Sequence, residues 1–125
     1  MSIRQTLPEF SRFTFGAMSL GRRHDELEQD VALAREAMDA GVWFHASQEY
    51  GGGDTFMVLR QAFDADRAHV PPLILKIRCD RAEMIRFDVE DALRRLGLDR
   101  LDVAQLCKSN HEKREVVYDL LDGGP

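Results

Sequence analysis

Tyr50, Lys76, His45 and Cys107 are the side chains in this sequence with the clearest chemical potential. A phenol and an ammonium group can hold and move a proton, and an imidazole or a thiol can act as base, nucleophile or ligand. Lys76 lies in the apolar run LILKI, where a lysine needs a partner or a route to solvent. His45, Cys107 and His111 are the residue types of a nucleophilic pair or a metal site, but no ligand spacing supports either. Backbone amides of Gly51–Gly53 could cradle a phosphate, although a plain turn accounts for three glycines more simply.

What positions these residues is a repeated pattern of a short apolar run followed by an amphipathic helix. Arg12–Met18 reads as a first strand, rich in Phe and Thr, with Gly21 marking the turn. His24–Ala40 reads as a helix, because Leu27, Val31, Ala34 and Met38 recur at spacings of four, three and four. Gly41 stands where a helix C-cap glycine belongs and leads into Val42-Trp43-Phe44, a second strand. A loop over His45–Gly53 precedes a helix capped by Asp54 or Thr55, with Phe56, Leu59, Ala62 and Phe63 on one side. After Pro71-Pro72, Leu73–Ile77 reads as a central parallel strand, apolar on both faces. Asp80 caps a third helix burying Ile85, Val89, Ala92, Leu93 and Leu96, and Gly97 ends it. Leu101–Leu106 is the fourth strand, and Glu112–Asp122 begins a further helix.

The order βαβαβαβ requires a parallel sheet, as an open doubly wound sheet or as part of a barrel. Gly16 and Gly21 do not form the GxGxxG turn that would favour the first. In a barrel, the C-terminal ends of the strands carry the active site. Gly16-Ala17-Met18, His45 to Tyr50, Lys76 and Cys107 all stand at such ends.

Four segments in order carry a resemblance. FGAMSLG resembles the opening strand of the aldo-keto reductase family, with its Gly-x-Met turn near the cofactor. GVWFHASQEYGGG resembles the family's Gly-Val-x-Phe-Asp-Thr-Ala-x-x-Tyr-Gly segment, and LILKIR the strand that delivers its lysine. VEDALRRLGLDRLDVAQL resembles the helix and strand leading to its histidine. The resemblance runs from Phe13 to Leu106 and implies the N-terminal half of a (β/α)8 barrel, a single domain over residues 1–125. It also implies reduction of aldehydes or ketones with NADPH through an Asp, Tyr, Lys, His tetrad. By position, Tyr50 is the general acid and Lys76 the cation whose charge favours tyrosinate. Gly16, Ala17, Met18 and His45 fall on the cofactor side.

Two tetrad positions depart from the family. His45 stands for the aspartate and supplies no negative charge: protonated it would repel Lys76, neutral it can accept one hydrogen bond. Cys107 stands for the histidine and is a poor hydrogen-bond partner for a carbonyl. Because acid–base steps contribute about 10²–10⁴ in rate, the resemblance implies an impaired or inactive reductase. A complete barrel takes about 250 residues against the 125 here, so most of the family's cofactor pocket is not in this sequence. The alternative is a non-catalytic half barrel whose open strand edges bind another polypeptide, by self-association or by pairing with a complementary half.

The totals narrow the partners. A net charge of −5 repels phosphate backbones and argues against nucleic acid. No apolar h-region or membrane-length run is found, and the two cysteines suit a reducing compartment, so the expectation is a cytoplasmic protein with no metal.

Overall fold

The computed structural model describes residues 8–78 and 82–107. Four strands alternate with three helices: β1 Thr14–Gly16, α1 Leu27–Asp39, β2 Trp43–Ser47, α2 Thr55–Ala65, β3 Leu73–Arg78, α3 Ala82–Leu96 and β4 Val103–Cys107. All neighbouring strands are parallel, in the order β1-β2-β3-β4. This is the expected α/β arrangement of a partial barrel. The expected Asp80 cap, the helix over 112–122, Cys79 and His111 lie outside the described residues.

The register explains the core. Phe15 pairs with Phe44, Phe44 with Leu73, and Leu75 with Ala104. Successive side chains on a strand point to opposite faces. Phe44, Ala46, Leu73, Leu75 and Ile77 therefore meet the helices, where Phe56, Leu59, Phe63, Ile85, Ala92 and Leu96 complete a buried cluster. Burial of each large side chain such as Phe44 or Phe63 contributes about 1.5–3 kcal/mol. By the same alternation, Trp43, His45, Ser47, Ile74, Lys76, Val103, Gln105 and Cys107 share the opposite, concave face. Its lower end is covered by the segment before β1. The Phe10 ring stacks on Trp43 at 4.1 Å between centroids, and the Trp43 indole N–H donates to the Glu9 carbonyl at 2.9 Å.

Several boundaries differ from the sequence reading. Strand β1 is only three residues long. A 3-10 turn over His24–Glu26 precedes α1. Strand β2 runs on to Ser47, because Ala46 and Ser47 pair with Leu75 and Lys76 of β3, while the Ala17 amide donates to the His45 carbonyl on the other side. His45 is thus a strand residue rather than the start of a loop. Strand β3 is apolar on one face only: Leu73, Leu75 and Ile77 are buried, whereas Ile74, Lys76 and Arg78 are half-buried. Strand β4 starts later and includes Cys107.

Neither Asp54 nor Thr55 caps α2 through its side chain. The Asp54 carboxylate is engaged by His24 Nε2 at 2.9 Å, and the Thr55 hydroxyl donates to the Leu20 carbonyl at 2.7 Å. The C-terminal carbonyls of α3 are met by arginines from elsewhere: Arg67 donates to the carbonyls of Leu96 and Gly97, at 3.2 and 3.0 Å. That cationic end suits the helix dipole.

The Tyr50–Gly53 turn depends on one glycine above all. Gly51 has φ +60°, and a Cβ there would sit 2.1 Å from the Leu20 carbonyl oxygen. Gly52 has φ +68° with nothing within 4 Å of its Cβ position. Gly51→Ala is therefore expected to cost about 3 kcal/mol or more, from strain and collision together, and Gly52→Ala about 1 kcal/mol. Urea unfolding of the two variants checks the difference; equal midpoints would contradict it.

Candidate active site

Lys76 Nζ lies over the Tyr50 ring, 4.6 Å from its centroid. Hydrogen bonding with the Tyr50 side chain is the largest influence on Lys76 and raises its pKa above the ordinary lysine value, with smaller contributions from Cys107 and Glu49. Burial opposes the rise without cancelling it. The structure therefore brings together the two residues, 26 positions apart in sequence, that carry proton chemistry in the resemblance.

Tyr50 is placed by the loops on either side of its turn. The Ala17 amide is tied to β2, the Leu20 carbonyl fills the space against Gly51, and the Thr55 hydroxyl locks the same carbonyl. From the other side, Arg95 donates to the Gly53 carbonyl at 2.8 Å and lies over the Phe56 ring at 4.8 Å. Three glycines in a row thus form an anchored turn.

A buried carboxylate joins the strand ends that carry this pair. Asp88 of α3 has 1% of its side chain exposed. It accepts from Gln48 Nε2 at 2.9 Å, from the Arg78 backbone amide at 3.1 Å and from the Arg78 guanidinium at 2.7 and 3.1 Å. Burial alone would push its pKa up, but the bonds from Arg78 and Gln48 together outweigh it and hold the carboxyl below its ordinary value. Gln48 is two residues before Tyr50, and Arg78 two residues after Lys76. Periodicity places residue 88 on the buried stripe of α3 between Ile85 and Val89, Ala92; an acidic residue there was the available signal for this network, which the sequence reading passed over.

The other expected residues are spread along the same face. His45 Nε2 is 2.7 Å from Gln105 Oε1, and its ring centroid is 6.1 Å from that of Tyr50. Cys107 pairs in register with Arg78, two residues beyond the Lys76–Gln105 pair, so it sits further along the strands than His45. Gly16 is exposed at the end of β1, with nothing within 4 Å of its Cβ position. Met18 is 51% exposed, whereas Ala17 is fully buried in the core cluster, so its side chain faces away from any ligand on the concave surface. Among the described residues, no three His, Cys, Asp or Glu side chains gather to hold a metal ion. A cavity of about 560 Å³ lies at the opposite ends of the strands, lined by residues including Arg67, Pro71, Leu98 and Asp102. It holds neither Tyr50 nor Lys76 and is set apart from this chemistry.

Comparison with solved structures identifies the architecture. The chain is similar to an aldo-keto reductase from Klebsiella pneumoniae in complex with NADPH, at 24% identity and a TM-score of 0.71, over 92% of this chain and 43% of that one. It is also similar to a thermostable aldo-keto reductase in complex with the inhibitor epalrestat (21% identity, TM-score 0.73, 94% of this chain and 48% of that one). A third is the holo form of an aldo-keto reductase from Bacillus halodurans, at 23% identity and a TM-score of 0.66, over 92% of this chain and 43% of that one. No family model and no curated protein matches. The fold is that of part of an aldo-keto reductase barrel, and the chain spans less than half the length of those structures. No helix among the described residues is long and apolar enough to cross a membrane.

Asp88→Asn is expected to destabilise the chain by about 2 kcal/mol at neutral pH, as bonds to a charged group are lost. Because the folded pKa of Asp88 is depressed, its contribution is fully present above the unfolded carboxylate value of about 3.9 and is lost as pH falls through the folded value. Unfolding free energies at pH 7 and pH 3 should differ more in the parent than in Asp88→Asn; parallel pH profiles would contradict this.

Proposed function

We propose that this chain carries the proton-transfer portion of an NADPH-dependent oxidoreductase site of the aldo-keto reductase type, acting on aldehydes or ketones. The single observation that carries the reading is Lys76 Nζ over the Tyr50 ring, at the strand ends where a barrel keeps its chemistry. In this reading Tyr50 Oη donates a proton to the carbonyl oxygen, and the Lys76 ammonium offsets the negative charge left on the phenolate. A bound nicotinamide nucleotide would supply hydride to the carbonyl carbon. The open position at Gly16 and the exposed Met18 fit a ligand lying along the concave face. Gly16, Met18 and His45 are the residues that would line that side, while Ala17 would contribute only backbone. The described residues form one wall of such a pocket.

His45 and Cys107 reduce what this wall can do. Neither restores the carboxylate that would neutralise Lys76 nor the imidazole that would orient a carbonyl, so turnover is expected to be weak. The double variant His45→Asp, Cys107→His should raise carbonyl reduction by about 10²-fold, and Tyr50→Phe in that background should remove the gain. NADPH fluorescence titration followed by a reduction assay checks both. Saturable binding without any Tyr50-dependent turnover in the double variant would contradict the reading.

A second reading rests on the sheet edges. Among the described residues β1 and β4 have one strand neighbour each, and Ala104 and Gln105 of β4 are exposed. Open parallel edges invite pairing with another polypeptide, either a second copy or a complementary barrel half. Sedimentation equilibrium of the 125-residue chain is expected to show association. A stable monomer at micromolar concentration would argue against this reading.

A further inference from the structure

Gln105 belongs to none of the four tetrad positions, yet it makes the polar contact that His45 shows on the concave face. His45 Nε2 and Gln105 Oε1 are 2.7 Å apart, across sixty residues of sequence. The register brings them together. Ser47 pairs with Lys76, and Lys76 with Gln105, so Gln105 stands two residues along from the level of His45 and reaches it across β3. His45 is half-buried and Gln105 exposed.

An amide oxygen only accepts hydrogen bonds, so this contact requires the proton on Nε2. A neutral imidazole has one N–H and one lone pair, and the bond made by one nitrogen sets the role of the other. We propose that Gln105 is a positioning residue: it holds neutral His45 with its proton on Nε2 and so leaves Nδ1 as an acceptor. This inference rests on the reductase-type reading and deepens it. The resemblance expects an acceptor-only carboxylate at position 45. Gln105 turns an ambiguous imidazole into a group with a defined acceptor, although without negative charge.

The test is a long-range ¹H–¹⁵N correlation spectrum of the ¹⁵N-labelled full chain, without nucleotide, at about pH 8.5. His45 Nε2 should be the protonated nitrogen, with a slowly exchanging proton. Gln105→Leu should speed that exchange by about tenfold, the loss expected for one net hydrogen bond, and bring the Nδ1–H form into the average. Gln105→Glu, which keeps an acceptor, should retain the Nε2–H form. A proton on Nδ1 in the parent chain overturns the proposal, as does a Leu variant with unchanged nitrogen shifts and exchange. Should the Leu variant not fold, the parent chain and Gln105→Glu still decide: the Nε2–H form in both supports the assignment, and the Nδ1–H form in either overturns it. Because no nucleotide is present, this outcome is separate from whether NADPH binds.

Discussion

The pleat of a parallel sheet covered by helices on one side is the constraint from which the rest follows. Phe44, Leu73, Leu75 and Ile77 go to the helical side, where they build the core. Their neighbours His45, Ile74 and Lys76 must then point the other way. A register shift of one residue would send Lys76 into the apolar cluster, at a desolvation cost no local contact there could offset. The same interaction that stabilises the fold therefore gathers polar groups on the concave face.

Gathering side chains on a face does not orient them. Orientation comes from backbone contacts between loops and from one buried charge. The approach of the Leu20 carbonyl to Gly51 sets the turn from which Tyr50 projects. Asp88 ties the end of β3 to the segment after β2, through Arg78 and Gln48. A buried carboxylate with this many donors is costly to disrupt, and it connects the two strand ends that bear Tyr50 and Lys76. Helix α3 thus contributes to the site without touching it.

Much of this was legible in the sequence because it rests on periodicity. The helix stripes, the glycines ending α1 and α3, and the order of strands follow from local pattern, and the Tyr50 and Lys76 positions follow from a motif on those elements. What escaped the reading depends on contacts between distant segments. The extension of β2 to Ser47 needs Leu75 and Lys76 of β3 as partners, and Ala17 enters the core because the loop after β1 folds under Thr55. Asp54 looked like a cap, but His24 engages its carboxylate from 30 residues away. Gln105 reads as an ordinary polar residue until β4 is laid beside β3. Asp88 had a local signal, an acidic side chain on an apolar stripe, but its partners are defined only by the fold.

Tyr50 and Lys76 act on each other as a pair on the concave face. The most direct measurement is an NMR titration of the Lys76 side-chain nitrogen in the parent chain and in Tyr50→Phe. Lys76 is expected to titrate above the ordinary lysine range in the parent and to fall back towards it when the phenolic hydroxyl is removed. An ordinary or lowered value that does not respond to Tyr50→Phe would mean that the two side chains are neighbours in the fold without acting on each other.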